Sequence, residues 1–291
     1  MPVPSPYAAR LARIPVRREE IDAGGSRTAY WVYGPDDAAT TILAVHGFRG
    51  DHHGLEPVVA HLPDVRVVMP DLPGFGETPP PADRRLDLDA FADWLTAFAA
   101  AAAPGAAVLG HSFGSIVAAA AVAGGLPTPR LILVNPIGAP ALEGPRGVLT
   151  RLAVFYYWAG AKLPAALGTA LLRSPVIVRV MSMAMAKTRE RGLRRWIHDQ
   201  HDRFFSGFSD REALHDAFVT SVSHDVRAYA PRIAQPTLLV AADRDDITPI
   251  EAERALRGMF PDARLVELAG VGHLIHYEKP AEAAEAIRSF L

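Results

Sequence analysis

A serine held between a strand and a helix is the first feature of this chain that carries chemistry. Ser112 lies in Gly110-His111-Ser112-Phe113-Gly114, after the apolar run Ala107–Leu109 and before the Ala-rich stretch Phe113–Ala123. A strand, Gly-x-Ser-x-Gly and a helix in that order put the hydroxyl in a tight turn, with glycines where chain segments pass close. The helix start adds free N–H groups and the positive end of a dipole, which favour negative charge developing there. A serine hydroxyl needs a base, and near neutral pH that base is histidine. Of the eleven histidines, His273 in Gly270-Val271-Gly272-His273 follows the last expected strand. A buried carboxylate would fix its tautomer and stabilise the imidazolium. Asp243, Asp245 and Asp246 are the candidates, at the end of the preceding strand. An oxyanion would be held by backbone N–H groups: that of Phe113, after the nucleophile, and that of Phe48, in Val45-His46-Gly47-Phe48-Arg49-Gly50.

Elements must hold these residues together. Short β-branched runs at 41–45, 65–69, 107–109, 131–134, 237–240 and 264–267 predict strands, and the stretches 87–103, 113–123, 250–259 and 280–291 predict helices. Such alternation predicts a mostly parallel sheet covered by helices on both faces. Residues 16–21 and 27–33, joined by Ala23-Gly24-Gly25-Ser26, predict an antiparallel hairpin at the sheet edge. The alternation stops between Asn135 and about His224, where Pro140, Pro145, Pro164 and Pro175 punctuate helix-period stretches rich in aromatics and Met. We expect a helical cap over 137–224, inserted in a core made of 1–136 and 225–291.

Composition narrows the function. The chain has 291 residues, a formal net charge of −2, 49% apolar residues and no cysteine. That is a globular composition without the positive field a nucleic-acid binder needs. Disulfides, Cys-ligated zinc, iron–sulfur clusters and a thiol nucleophile are excluded. The Pro- and Arg-rich start lacks the apolar core of a secretory signal, so a cytoplasmic protein is expected. The uncharged stretch Trp94–Pro129 is broken by Pro-Gly and Gly-Gly pairs and reads as helix, strand and helix rather than a membrane span. His46, His52 and His53 lack metal-ligand spacing, and no metal or cofactor is implied. His198 and His201 are expected on an exposed face following the basic run Lys187–Arg195. That run reads as a solvated surface, although the apolar Val176–Met185 before it is compatible with contact at a membrane surface.

Taken together, HGF at 46–48, DLPGFGET at 71–78, GHSFGS at 110–115, DRDDITP at 243–249 and GVGHLIHYEKP at 270–280 resemble the α/β-hydrolase superfamily over about residues 27–291. More narrowly, the chain resembles its helical-cap serine hydrolases, the esterases, C–C bond hydrolases and cofactor-free haloperoxidases. The resemblance implies an eight-stranded sheet with the cap after the sixth strand and the order Ser112, Asp245, His273. Asp245 is chosen because the family acid stands four residues before a proline, here Pro249. Ser115 stands where a glycine is common, and Glu77-Thr78 departs from the usual sequence after Gly-Phe-Gly. Serine rather than aspartate at position 112 disfavours epoxide hydrolase and dehalogenase chemistry. The expected reaction is cleavage of a hydrophobic carboxylic ester or related acyl substrate through an acyl-enzyme. The alternatives are a diketone-type C–C hydrolase, for which Arg49 and Asn135 are candidate carboxylate binders, and a non-enzymatic ligand-binding protein. His46, Arg49, His111, Asn135, Tyr156 and Trp158 are the expected pocket residues, and the protein is expected to be a monomer or homodimer.

Overall fold

The computed structural model describes residues 3–139 and 147–291. Eight strands form one sheet: β1 (Val16–Ala23), β2 (Ser26–Tyr33), β3 (Thr41–Val45), β4 (Arg66–Pro70), β5 (Ala107–His111), β6 (Leu131–Val134), β7 (Thr237–Ala242) and β8 (Ala263–Leu268). Their spatial order is β1-β2-β4-β3-β5-β6-β7-β8. β1 and β2 are antiparallel, as are β2 and β4, and all other pairs are parallel. The twelve α-helices among the described residues are α1 (Ala8–Leu11), α2 (Glu56–Val59), α3 (Leu88–Ala102), α4 (Phe113–Ala123), α5 (Gly147–Lys162), α6 (Ala165–Leu172), α7 (Pro175–Met185), α8 (Arg191–Phe204), α9 (Arg211–Ser223), α10 (Ile250–Arg257), α11 (Ile275–Glu278) and α12 (Pro280–Arg288).

The expected hairpin is present, with Ala23 paired to Ser26 and a two-glycine turn at φ 54° and 82°. Only glycine adopts two such residues in a row without strain, which fixes the register. Central strands β5, β6 and β7 are buried along their whole length, because helices cover both faces. On one face α3 buries Phe91, Trp94, Leu95 and Phe98, spaced three and four apart. Asp87 caps this helix by accepting from the Ala90 N–H, and the Trp94 indole donates to Thr28. Each such large side chain contributes roughly 2–3 kcal/mol through apolar burial. A separate core fills the other face, where α2 and α12 pack Val58, Val59, Ala283 and Ile287 against Ile42, Leu238 and Val240.

Five helices, α5 to α9, lie between β6 and β7. Part of the expected insertion, including Pro140 and Pro145, lies outside the described residues. The segment returns beside its point of departure, where the Val226 N–H donates to the Ile137 carbonyl at 2.9 Å, and the chain then runs back to pair β7 parallel with β6. A third apolar cluster joins these helices to the chain after β8, through Ala186, Trp196, Ile197, Leu274 and Tyr277.

Candidate active site

Parallel strands present their carboxyl ends on one edge, where the loops after β3, β5, β7 and β8 converge. Ser112 ends β5 and starts α4 with φ 52° and ψ −120°, a strained conformation for a side-chain-bearing residue. The turn is tight enough to require its flanking glycines. A Cβ on Gly110 would lie 2.4 Å from the Gly114 carbonyl oxygen, and one on Gly114 would lie 2.5 Å from the carbonyls of Val45 and His46. Ser115, the departure from a Gly-Gly elbow, braces this turn. Its hydroxyl donates to the Ser112 carbonyl at 2.5 Å and accepts from the Ile137 N–H at 3.1 Å.

Ser112 Oγ lies 2.7 Å from His273 Nε2, and His273 Nδ1 lies 2.7 Å from Asp245 Oδ2. With the proton on Nδ1 donating to the carboxylate, Nε2 is the acceptor facing the serine hydroxyl. Asp245 also accepts from Asn135 Nδ2 at 3.0 Å and from the N–H groups of Ile247 and Thr248 at 2.7 and 3.2 Å. Burial pushes this carboxyl up. The attraction of His273 and these donors outweigh it, and the group is held below its ordinary range. Of the three candidate aspartates, only Asp245 meets His273. Asp243 accepts from the N–H groups of Gly270 and Val271 and so braces the loop that carries His273, while Asp246 pairs with Lys187.

The loop after β3 passes beside the serine. A Cβ on Gly47 would lie 3.1 Å from Ser112 Cβ, so Phe48 follows at the same edge of the site. Phe113 is the first residue of α4, and the first N–H groups of a helix have no partner within it. His46 holds this loop in shape: its Nε2 accepts from the Leu72 N–H at 2.9 Å, and its Nδ1 faces the Gly47 carbonyl at 2.8 Å. Burial lowers its pKa, which keeps the ring neutral as this pattern requires.

Arg49 also has a left-handed backbone, φ 60°, and a buried side chain. Its guanidinium donates to the carbonyls of Phe205 and Leu172 at 2.7 and 2.8 Å and to the Tyr157 hydroxyl at 3.3 Å. It also lies over the rings of Tyr157, Phe205 and Phe208. Leu172 ends α6 and Phe205 follows α8, so the cation meets two helix C-termini, where the macrodipole is negative.

A cavity of about 180 Å³ opens over Ser112 and His273. His46, Phe48, Arg49 and His111 form part of its wall, and Met181, Met185, Gln200, His201, Phe204 and Phe205 roof it. The structure does not bring the other expected pocket residues there. Asn135 sits behind Asp245. Tyr156 donates to the carbonyls of Leu171 and Leu172, and Trp158 is 48% exposed, stacked on Phe155. Successive helix positions point about 100° apart, and on α5 it is the intervening Tyr157 that turns inward, to Phe48 and Phe218.

His201 differs from its expected exposed place: it is buried, and its Nδ1 meets Ser182 Oγ at 2.7 Å. His198 shares that hydroxyl at 2.6 Å, so one serine ties α7 to α8. The i, i+4 spacing of Met181 and Met185 was the available signal that α7 turns a soft apolar face inward. Burial lowers the pKa of His201 to about 3, and burial with the nearby His273 does the same to His111. His276, against His111 with ring centroids 4.2 Å apart, is lowered too. These rings are neutral at ordinary pH. Glu253, close behind Asp245, is pushed up to about 9 by burial and by the charge of Asp245.

Asp51, His52 and His53 bring possible ligand atoms within 4.8 Å of one another. Each of these histidines has a carboxylate partner at Nδ1, Asp71 for His52 and Asp51 for His53, and the His52 ring stacks on Trp31 at 3.3 Å.

Known proteins agree with this architecture. Residues 42–286 match the model of the alpha/beta hydrolase family. The chain is similar to a pimeloyl-[acyl-carrier protein] methyl ester esterase of Xanthomonas axonopodis pv. citri, with 27% identity over 86% of this chain and 94% of that protein. It is 28% identical to the polyketide synthase ThaQ of Burkholderia thailandensis over 93% of its own length, but it spans only 13% of that protein. In fold it is similar to an esterase from Exiguobacterium antarcticum, with TM-score 0.75 and 17% identity over 94% of this chain and 99% of that one. A bromoperoxidase from Bacillus anthracis gives TM-score 0.76 and 17% identity over the same shares. The chain belongs to the alpha/beta hydrolase family, as an enzyme of the hydrolase class.

Proposed function

We propose that this protein is a serine hydrolase that cleaves a hydrophobic carboxylic ester, or a related acyl substrate, through Ser112, His273 and Asp245. The observation that carries the reading is the pair of 2.7 Å contacts linking the three side chains beneath a mostly apolar cavity. Ser112 Oγ attacks the carbonyl carbon while His273 Nε2 takes its proton. The Asp245 carboxylate stabilises the imidazolium and keeps the ring oriented. The N–H groups of Phe48 and Phe113 hold the oxyanion, and each such donor is worth about 3–4 kcal/mol of barrier. His273 returns the proton to the departing alcohol. Water, activated by the same imidazole, then hydrolyses the acyl-enzyme and frees Ser112.

Helices α5 to α9 act as the cap in this reading, because the roof of the cavity comes from α7, α8 and the residues after them. Met181, Met185, Phe204 and Phe205 suit an acyl chain, since such pockets exclude water and reward apolar area. The named activity of the Xanthomonas relative, hydrolysis of a methyl ester, supports an ester as the bond cleaved. Arg49 favours ester cleavage over a carboxylate-binding C–C hydrolase, because its donors are committed to Phe205, Leu172 and Tyr157. Fluorophosphonate labelling followed by peptide mapping tests the reading. Rapid modification at Ser112, absent in Ser112→Ala, is the expected result, together with turnover of p-nitrophenyl acyl esters. A folded protein that neither labels nor turns over any ester of the series would overturn it.

A further inference from the structure

The outer surface of α5, α6 and α7 is unlike the rest of the molecule. Thirteen large apolar side chains are exposed among the described residues, and nine of them fall between positions 152 and 183. Leu152, Phe155 and Trp158 lie on α5, Leu167 on α6, and Val176, Val180 and Met183 on α7. On α7 the spacing i, i+4, i+7 makes one outward stripe, opposite the inward Val178 and Ser182. Leu167 is 60% exposed and Val176 69%. Exposed apolar side chains concentrated in this way on one segment mark a contact surface rather than ordinary solvent exposure.

Charge identifies what it contacts. Residues 147–189 contain Arg151, Lys162, Arg173, Arg179, Lys187 and Arg189 and no Asp or Glu. This segment is formally +6 in a chain of −2, which leaves the remainder at −8. Arg179 pairs with Asp202 and Lys187 with Asp246, and the patch stays positive with both aspartates counted. We propose that the outward face of α5–α7 rests on an anionic lipid bilayer. Exposed aliphatic and aromatic side chains among cations are what inserts shallowly at a charged headgroup layer. A second copy docked symmetrically through the same face would bring like charge against like charge. The aliphatic side chains that dominate this face are also under-represented among protein–protein hot spots.

The face lies on the membrane and does not cross it. Residues 165–185 have the overall length and hydropathy of a span. They form two helices of 8 and 11 residues, broken at Arg173–Ser174 before Pro175. At 1.5 Å per residue these reach about 12 and 16 Å, short of a hydrocarbon core of about 30 Å. The inner side of α7 carries Met181 and Met185 on the cavity wall, so docking holds the cavity one helix thickness, about 10 Å, from the lipid.

The test uses the full chain and measures binding, so it is independent of whether Ser112 is the nucleophile. The chain is sedimented with phosphatidylcholine vesicles and with vesicles containing about 25% phosphatidylglycerol. We expect partitioning at least tenfold stronger to the anionic vesicles, weakened by salt. The combined variant Val176→Ser, Val180→Ser, Met183→Ser should lose at least tenfold, and Arg151→Glu with Lys162→Glu a similar amount, at unchanged circular dichroism and melting temperature. Brominated lipid should quench the emission of the wild type, with the quenching lost in Trp158→Phe although that variant still sediments. Three results would overturn the proposal: no binding to anionic vesicles at millimolar lipid; equal binding by the folded triple-serine variant; or, without vesicle binding, self-association or saturable capture of a small acidic protein that the same substitutions abolish.

Discussion

The floor of the cavity and its roof are built on different physics. The floor is made of loops at the ends of buried strands, and its polar groups are tied down pairwise. His273 is held by Asp245, Asp245 by Asn135 and two N–H groups, and the His273 loop by Asp243. The roof is made of helices that expose much of their apolar surface and meet the floor through a few anchors, chiefly Arg49 and the cluster around Trp196 and Tyr277. A reaction that depends on sub-ångström geometry belongs on the first kind of structure. In the proposed reading, selection among apolar substrates is left to the second, where a methylene is worth only about 1–3 kcal/mol.

The comparison is tested most severely at Asp245. Asp245→Asn should lower kcat on a p-nitrophenyl ester about 10⁴-fold, with KM nearly unchanged, because the tautomer of His273 is lost while the roof is untouched. A loss confined to KM would put substrate binding, not chemistry, on the floor. Next in size, Arg49→Met leaves the carbonyls of Leu172 and Phe205 without their donor and should cost about 2–4 kcal/mol of stability. Hydrogen exchange should then speed up in α6 and α8 well before β5. Equal loosening of both regions would mean that floor and roof unfold as one unit.

A roof substitution should do the converse. Met185→Trp fills part of the cavity and should shift preference from long toward short acyl esters by about 10- to 100-fold in kcat/KM. Short-ester kcat should stay within a few-fold of wild type. The effect of Glu253 is graded, small for each unit of pH, because its carboxyl ionises near 4.5 unfolded and about 9 folded. Between those values the native state holds a proton that the unfolded chain has lost. Its contribution is therefore complete at low pH and fades as pH rises, by on the order of 1 kcal/mol per unit. Glu253→Gln should be the more stable protein at about pH 8, by a margin that widens with pH in thermal melts. Parallel melting curves at all pH values would remove the buried proton from the floor.

Floor and roof also differ in how well they could be read from the sequence. Ser112 and His273 were legible because each stands at a fixed distance from a strand with a strong pattern of its own. Singling out Asp245 from Asp243 and Asp246 needed the register to Pro249. The bracing role of Asp243 was not visible, since it depends on two N–H groups 27 and 28 residues downstream. On the roof the helices were evident but not their rotation. Tyr156, Tyr157 and Trp158 look equivalent in sequence, and only docking decides that Tyr157 turns inward. The burial of His201 follows from its contacts with Ser182 and the Tyr277 ring, both supplied by other elements.

The contact between Ile137 and Val226 makes the helical segment between them exchangeable. Its two ends meet where the Val226 N–H donates to the Ile137 carbonyl at 2.9 Å, just beyond the carboxyl end of β6. A replacement for residues 138–225 therefore has only to bridge the gap across one backbone hydrogen bond, about 5 Å, while residues 226–236 still carry the chain back to the start of β7. Closing a longer loop there costs little, since each doubling adds about 0.6 kcal/mol. The scaffold can accept grafted roofs of foreign origin while its reactive edge stays in register, and that makes it a suitable host for recombining specificities.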